Sequence, residues 1–348
     1  MRTEDFDYDL PPEQIAQTPA EPRDTSRLLV LSRENNSVIH DRFFNLGRYL
    51  RPGDLLVANQ SRVLPARLLG RKATGGKVEL LLLRRQDHLT WEALVGGRGV
   101  RPGMELVVVG QRDGADSDMR AEVVDVLPHG GRLVRFNQPI EPALPALGTL
   151  PLPPYITAQL PDQERYQTVY STKEGSAAAP TAGLHFTPAL LDQLKAQDIG
   201  WTTVTLHVGL DTFRPVQVDD PAQHQMHSEW FELGAEAAAA INTARAEGRR
   251  VIAVGTTTVR VLETVAQHAE AAGTAALAPW AGDTRIFIYP PYRFRVVDGL
   301  ITNFHLPKST LMMLVSALAG RERILAAYAE AVNAGYRFFS FGDAMLIV

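Results

Sequence analysis

Several common features are missing from this chain, and each absence excludes a class of function. Cysteine is absent, which excludes disulfides, thiolate nucleophiles and zinc sites built on sulfur. No apolar run approaches the roughly 18 residues that a membrane span needs. The first residues, MRTEDFDYDLPPEQ, are acidic and polar, unlike a signal peptide. We therefore expect a soluble, cytoplasmic protein with no membrane partner.

The chain also lacks an excess of basic charge. It holds 35 basic and 39 acidic residues, so it is not a basic nucleic-acid binder overall. Residues 62–135, however, carry 13 basic and 9 acidic residues, against 22 and 30 in the remainder. This segment of charge +4 suits contact with a phosphate backbone, and a merely soluble insert explains it equally well.

Familiar nucleotide and metal motifs are missing too. VGGRGV at 95–100 leads into a strand and not a helix, and TGGK at 74–77 is not a Walker A sequence. His224, His227 and Glu229 supply metal-ligand types. On a strand, however, a spacing of three places the two histidines on opposite faces. There is neither a CxxC nor an HExxH motif. We therefore predict no metal site.

The 348 residues suggest two domains. Apolar runs at 27–32 and 54–58 predict buried strands. Beyond Arg62, six strand-like runs separated by glycine turns predict a small β-barrel or sandwich. These runs are 63–69, 77–84, 91–95, 105–109, 121–127 and 132–136. Six prolines between 139 and 154 then indicate a linker.

From about residue 162, strands and helices alternate, which indicates α/β layering. The predicted strands are 201–208, 250–255, 286–289 and 337–341, and helices are predicted to begin near 188, 234, 256, 309 and 322. The predicted fold is a complex, barrel-like α/β main domain, 1–61 and 151–348. It is interrupted at 62–150 by an inserted antiparallel six-stranded β-barrel domain.

Five of the nine histidines lie in short segments rich in glycine, threonine, asparagine or aspartate. They are His185, His207, His224, His227 and His305. Several follow predicted strands, whose carboxyl ends are where α/β folds form ligand sites. Histidine can act there as an acid, a base or a hydrogen-bonding group. Taken singly, each is more often structural.

Two predicted helix starts are polar. Residues 255–257 (Gly-Thr-Thr) follow a strand, and free N–H groups there suit a carboxylate or phosphate that Arg260 could reinforce. An ordinary threonine cap explains the same residues. Lys308 and Ser309 form the second start.

Other candidate loops flank the first and last strands. Arg23 and Asp24 precede a strand, and Asn59 and Arg62 follow one. A salt-bridged turn and an interdomain crossover explain these pairs equally. Asp343 follows the last predicted strand, where a surface turn is the alternative.

The order of the motifs is more specific than any one motif. They are RDTSRLL (23–29), TGGKVELLLL (74–83), APTAGLHFT (179–187), TLHVGL (205–210), HQMHSE (224–229), GTTTVR (255–260), ITNFHLPKSTL (301–311) and FSFGDAM (339–345). In this order they resemble the S-adenosylmethionine:tRNA ribosyltransferase-isomerase family of queuosine biosynthesis, over essentially the whole chain.

The resemblance implies an activity and its substrates. The ribosyl group of S-adenosylmethionine would be transferred to the aminomethyl-deazaguanine at the tRNA wobble position and isomerised, giving epoxyqueuosine, adenine and methionine. It implies S-adenosylmethionine as co-substrate, no permanently bound cofactor, and the anticodon region of tRNA as partner. We expect a monomer. The family fold, a complex α/β domain with an inserted β-barrel, agrees with the fold predicted above.

Three positions depart from the family pattern. Gln60 replaces the usual aspartate, so we assign no acid or base role there. Asp211 replaces a glycine. Pro291, within Pro290-Pro291-Tyr292, also replaces a glycine and stiffens its loop.

The implied chemistry needs a base, because the sulfonium acidifies the adjacent ribosyl methylene and loss of that proton can start loss of adenine. The predicted catalytic residues are His185, His207, Glu229 and Asp343, with His185 or His207 preferred as the base. Aromatic neighbours suited to the sulfonium are Phe186, Phe213, Tyr292 and Phe304. The predicted substrate-binding residues are Arg23, Asp24, Asn59, Arg62, Thr181, Gly183, Phe186, Gly209, His224, His227, Gly255, Thr256, Thr257, Arg260, Asn303, His305, Lys308 and Ser309.

Two other functions remain open. One is a metal-dependent hydrolase that uses the histidines, which metal analysis would detect. The other is a non-catalytic tRNA-binding or chaperone protein that uses the positive insert. The polar strand-end motifs outside the insert argue against the second.

Overall fold

The computed structural model describes residues 1–110, 114–127, 130–209, 216 and 218–348. Two of the sequence-based expectations, at Asp211 and Phe213, lie outside these described residues. The chain divides into two compact units. The first comprises 1–61, 154–173 and 179–348, and the second comprises 62–153 and 174–178.

The strands and helices are numbered in chain order. The strands are β1 Arg27–Leu31, β2 Val38–Arg42, β3 Leu55–Asn59, β4 Ser61–Val63, β5 Arg67–Lys72, β6 Lys77–Arg85, β7 Thr90–Gly96, β8 Met104–Val109, β9 Asp116–Val126, β10 Arg132–Phe136, β11 Gly148–Thr149, β12 Lys173–Ser176, β13 Gly200–Leu206, β14 Glu229–Leu233, β15 Val251–Val254, β16 Trp280–Thr284, β17 Gly299–Asn303 and β18 Ala344–Ile347. The α-helices are α1 Leu144–Leu147, α2 Pro188–Ala196, α3 Ala235–Ala246, α4 Thr256–Ala271, α5 Thr310–Ala319 and α6 Arg321–Asn333.

The first unit contains a nine-stranded mixed sheet in the order β16-β14-β13-β3-β15-β17-β18-β1-β2. Strands β13, β3, β15 and β17 run parallel to their neighbours in this series. Their carboxyl ends therefore meet at one edge of the sheet. The candidate site is built at that edge.

The central strands of the sheet are buried on both faces because successive residues are apolar. Leu56 and Ala58 of β3 lie on one face with Ile252 and Val254 of β15, and this face packs against Phe186. Every residue of β3 and β15 is buried. These are the near-continuous apolar strands expected of a parallel sheet covered on both faces.

The second unit contains a closed antiparallel barrel. Its strands follow the order β5-β6-β7-β10-β9-β8, and pairing of β5 with β8 closes the circle. Fully buried side chains from alternate strand positions, such as Leu68, Leu80 and Val108, fill the interior. The predicted fold class, an α/β body with a six-stranded antiparallel barrel, is confirmed. Among the described residues, no helix is long and apolar enough to cross a membrane.

Two predicted strands are wrong. Residues 286–289 do not form a strand, because the preceding edge strand β16 ends at Thr284 and Pro290 and Pro291 follow. Residues 337–341 do not form a strand, because Phe338 makes only a single bridge to Ile15 and a turn follows in which Phe339 has a φ of +69°, outside extended geometry. The last strand is β18 instead, so Asp343 precedes it and does not follow it.

Candidate active site

A cleft opens at the carboxyl ends of β15 and β17, with about 700 Å³ of empty space including its mouth. The structure brings seven of the predicted site residues to its lining. They are Thr181, Gly255, Thr256, Thr257, Asn303, His305 and Ser309.

Helix α4 begins in this lining without a side-chain cap. Its N-cap residue is Gly255, whose φ of +90° strains any residue with a Cβ atom. Thr257 instead accepts a hydrogen bond from the Asn59 amide at 3.3 Å. The expected alternative of an ordinary threonine cap is therefore not what the structure shows. Uncapped N–H groups at a helix start favour an anionic ligand.

Asn59 fixes the junction beneath the cleft. Its side chain is fully buried, donates to the carbonyl of Leu206 at 2.9 Å and accepts from the N–H of Leu206 at 3.1 Å. Next to it, Gln60 bonds the hydroxyls of Thr203 and Thr205. Asn59, at the end of β3, and Gln60, which follows it, both bond residues of β13. The glutamine that stands here in place of the family's usual aspartate therefore has a structural role within the sheet.

His185 is buried behind the cleft, with both ring nitrogens occupied. Nδ1 lies 2.7 Å from Oγ of Ser26, and Nε2 lies 3.1 Å from the amide nitrogen of Asn303. Burial, then the charges of Arg337 and Arg23, lowers the pKa of His185 to about 3. As placed here, His185 has no free nitrogen for a substrate proton.

Three lining residues escaped the sequence reasoning. The hydroxyls of Tyr155 and Ser340 are 2.7 Å apart, and the Tyr155 ring packs on Phe339 with centroids 4.9 Å apart. Burial raises the pKa of Tyr155 to about 12. Tyr155 directly follows the proline-rich linker, in a stretch that carries no local signal of a site. Ser340 lies within the FSFGDAM motif, which was the available signal.

A second cluster of predicted residues lies beside Val208, which also lines the cleft. Glu229 accepts a hydrogen bond from the N–H of Gly209 at 2.8 Å and forms an ion pair with Nη1 of Arg260. Both charged side chains are about 5% exposed. Nε and Nη2 of Arg260 have no hydrogen-bond partner within the described part of the chain. Burial lowers the pKa of Arg260 to about 10.

His207 belongs to the same cluster. Its ring stacks on Trp230 with centroids 5.1 Å apart. Its buried Nδ1 has no hydrogen-bond partner among the residues that the structure describes. Burial also lowers the pKa of His207, which keeps the ring neutral and able to accept a proton.

Two more predicted residues flank the cleft near α5. His305 is buried, its Nε2 lies 2.7 Å from the hydroxyl of Thr302, and burial lowers its pKa to about 3. Ser309 caps α5 by accepting from the N–H of Met312 at 3.1 Å. Lys308 does not line the cleft but pairs with Asp7 at 3.0 Å.

Five other predicted residues have visible structural roles. Phe186 is fully buried in the sheet core, and a Cβ at Gly183 would lie 2.0 Å from the Tyr170 hydroxyl. Arg23 donates to the carbonyl of Gln167 at 2.7 Å, and Asp24 accepts from the Thr187 hydroxyl at 2.9 Å. Asp343 accepts from the main-chain N–H groups of Arg27 and Arg337, both at 2.8 Å. None of these five lines the cleft.

The remaining predicted residues lie elsewhere. Arg62 is in β4, within the second unit. The rings of His224 and Phe287 pack edge to face, 5.3 Å apart. Burial, followed by the neighbouring His227, lowers the pKa of His224. Across the described ranges, no three histidine, aspartate or glutamate side chains are grouped closely enough to hold a metal ion.

Comparison with known proteins gives one family. A family model described as "Queuosine biosynthesis protein" matches residues 3–347. The chain is 56% identical over 353 residues to an S-adenosylmethionine:tRNA ribosyltransferase-isomerase from Moorella thermoacetica, and 57% identical over 352 residues to one from Symbiobacterium thermophilum, with 100% of each chain covered. It is also similar to the crystal structure of an S-adenosylmethionine tRNA ribosyltransferase from Thermotoga maritima. That match has 39% identity and a TM-score of 0.56, and covers 99% of this chain and 100% of the other.

Proposed function

The chain belongs to the queuosine biosynthesis protein family, and from this membership we propose that it is an S-adenosylmethionine:tRNA ribosyltransferase-isomerase. It transfers the ribosyl group of S-adenosylmethionine to the aminomethyl-deazaguanine at the wobble position of tRNA and isomerises it. The products are epoxyqueuosine in tRNA, adenine and methionine. The observation that carries this proposal is identity above one half with relatives of that name over the whole chain.

The cleft is the proposed site for S-adenosylmethionine. The uncapped start of α4 offers N–H groups to the methionine carboxylate. Arg260, one turn further along α4, is already paired with Glu229, and its Nε and Nη2 nitrogens, which lack partners among the described residues, are the proposed further donors to the same carboxylate. The rings of Tyr155, Phe304 and Phe339 line the same cleft and suit the adenine ring and the sulfonium.

His207 is the proposed base. It follows β13 directly, next to Val208 in the cleft lining, and carries the buried Nδ1 described above. That nitrogen would take the acidified ribosyl proton. Glu229, held by the N–H of Gly209, keeps Arg260 oriented within the same cluster. His185 is then a positioning residue, which holds Asn303 at the edge of the cleft.

The second substrate is the anticodon region of tRNA. We place the enzyme in the cytoplasm, because tRNA is modified there. We further propose that it acts as a monomer and holds no permanently bound cofactor. The family assignment favours this function over a metal-dependent hydrolase or a non-catalytic binder.

Exchange of the proposed base tests the assignment of roles. A His207→Gln enzyme should bind S-adenosylmethionine and tRNA normally and release adenine at least about a hundredfold more slowly. Wild-type turnover in that variant, with its fold intact, would contradict the assignment to His207.

A further inference from the structure

Three openings in the first unit share lining residues. The cleft shares Ser340 with a smaller pocket beside His185, and that pocket shares Ser26 with a third opening. We call the second and third openings together the arginine groove. The arginines that line it are Arg23, Arg27, Arg42, Arg165 and Arg337.

The lining of the arginine groove is positively charged. Its five arginines face two lining carboxylates, Glu21 and Asp343, which leaves a net charge of +3. Glu21 is already paired with Arg165 at 2.9 Å. Asp343 already accepts main-chain N–H groups, and the Arg337 guanidinium lies 3.8 Å from it. The carboxylates therefore do not neutralise the groove.

Three of these guanidinium groups are held by main-chain carbonyls, and that of Arg337 also lies 3.8 Å from the Asp343 carboxylate. Each donates from Nη1 to a main-chain carbonyl: Arg27 to Ala334 at 2.7 Å, Arg42 to Thr25 at 2.8 Å and Arg337 to Thr18 at 3.2 Å. A carbonyl fixes a guanidinium without cancelling its charge, and N–H donors remain beyond the one that bonds it. The Arg27 guanidinium also stacks on the Tyr336 ring, 3.7 Å from its centroid. By contrast, Arg250 and Arg295 are bonded to the carboxylates of Asp54 and Glu270.

We infer that the arginine groove holds the phosphate backbone of the RNA strand whose target base enters the cleft, an inference that rests on the proposed function. Preoriented guanidinium groups match phosphate oxygens in pairs. An enzyme that acts on a loop base must hold the flanking backbone while the base leaves its stack. Ser340 lines both the cleft and the arginine groove, so the proposed site for the target nucleobase and the proposed site for the phosphates adjoin one another.

The test measures affinity for an unmodified tRNA transcript across a salt series. The Arg42→Gln/Arg337→Gln enzyme should bind at least about tenfold more weakly at 0.1 M salt. The slope of log affinity against log salt should fall by about 1.4, since each single-strand phosphate contact contributes about 0.7. The KM for S-adenosylmethionine should be unchanged.

Two variants control for fold and for general surface charge. Arg48→Gln/Arg323→Gln removes two exposed arginines outside the groove, of which Arg323 also donates from Nη1 to a carbonyl, and should leave affinity and slope unchanged. Arg42→Lys/Arg337→Lys keeps the charge and should keep most of the slope.

The inference is overturned if the Gln pair in the groove binds like wild type. It is also overturned if the control pair weakens binding equally, or if the Lys pair loses as much of the slope as the Gln pair. Binding of a transcript needs no turnover. A wild-type enzyme that binds through the groove but releases no adenine would therefore refute the proposed reaction and not the groove.

Discussion

The side-chain amide of Asn303 donates both to Nε2 of His185 and to the carbonyl of Phe339, each at 3.1 Å. The carbonyl can only accept, so the donor is the amide nitrogen, and Nε2 of His185 must accept as well. The proton of the ring therefore lies on Nδ1 and is donated to Ser26. This chain of bonds connects the buried core to the edge of the cleft and fixes one tautomer.

The pH dependence of stability tests this arrangement. Burial lowers the pKa of His185 to about 3 from 6.5, so the unfolded chain binds the proton more tightly. The contribution of neutral, buried His185 to the free energy of unfolding is therefore complete above pH 6.5 and is lost as the pH falls towards 3. Between pH 6 and 5, the free energy of unfolding of the wild type should fall by about 1.4 kcal/mol per pH unit more than that of His185→Gln, which has no proton to bind at this position. Denaturant titrations at several pH values measure it, and an unchanged slope would contradict the buried neutral histidine.

Activity and stability should change together at His185. Because both ring nitrogens bond within the protein, His185→Ala should lower the melting temperature as well as turnover and spare tRNA affinity. Calorimetry beside adenine-release kinetics measures both. A large loss of turnover with an unchanged melting temperature would restore His185 as the base.

His207 should behave differently. His207→Gln should lower kcat at least about a hundredfold with little change in melting temperature, because the ring is held by stacking and its Nδ1 bonds nothing within the described residues. The matched control is His268→Gln, which removes another histidine stacked on a tryptophan, Trp280, from an exposed position. Equal losses in the two variants would point to stacking and not to proton transfer.

Gly183 is a packing position in the structure. In Gly183→Ala the new Cβ would meet the Tyr170 hydroxyl at 2.0 Å and Thr168 at 2.8 Å. We expect a loss of about 1–3 kcal/mol in unfolding free energy. Gly96→Ala, whose Cβ would meet nothing closer than 3.8 Å, is the control and should cost much less. A fully stable Gly183→Ala enzyme with a raised KM would instead support direct contact with substrate.

The sequence predicted the fold where local pattern and tertiary environment agree. The strands β3 and β15 are such cases. Each is a short, continuous apolar run in the sequence, and each is buried on both faces in the structure. It failed at 337–341, where the run looks extended but the Asn303 bond to the Phe339 carbonyl stabilises a turn. The lining residues 255–257 were predictable because they follow a strand. Tyr155 was not, because no local pattern marks it and only folding brings it to the cleft.

The positive insert gives a separate prediction about tRNA. Reversal of Arg84 and Arg85 to Glu should weaken tRNA binding and flatten its salt dependence by about one unit of slope per lost contact, while S-adenosylmethionine binding stays the same. Arg85 is paired with Glu141 at 3.0 Å, so Arg84 should account for more of the effect. Unchanged affinity across the salt series would mean that the insert is only a soluble domain.

Metal removal should have no effect. Within the described ranges, no three ligand-type side chains are grouped for a metal ion, so turnover should survive exhaustive EDTA treatment. Loss on chelation, with recovery on adding one divalent ion, would favour the hydrolase interpretation of His224 and His227.

The most direct test of the proposed function is incubation of the purified enzyme with S-adenosylmethionine and tRNA bearing the aminomethyl-deazaguanine, followed by quantification of adenine and analysis of the tRNA nucleosides. We predict adenine release only when this tRNA is present, in step with the appearance of epoxyqueuosine. Methyl transfer to the tRNA without adenine release would contradict the proposal, because it would mean ordinary methyltransferase chemistry.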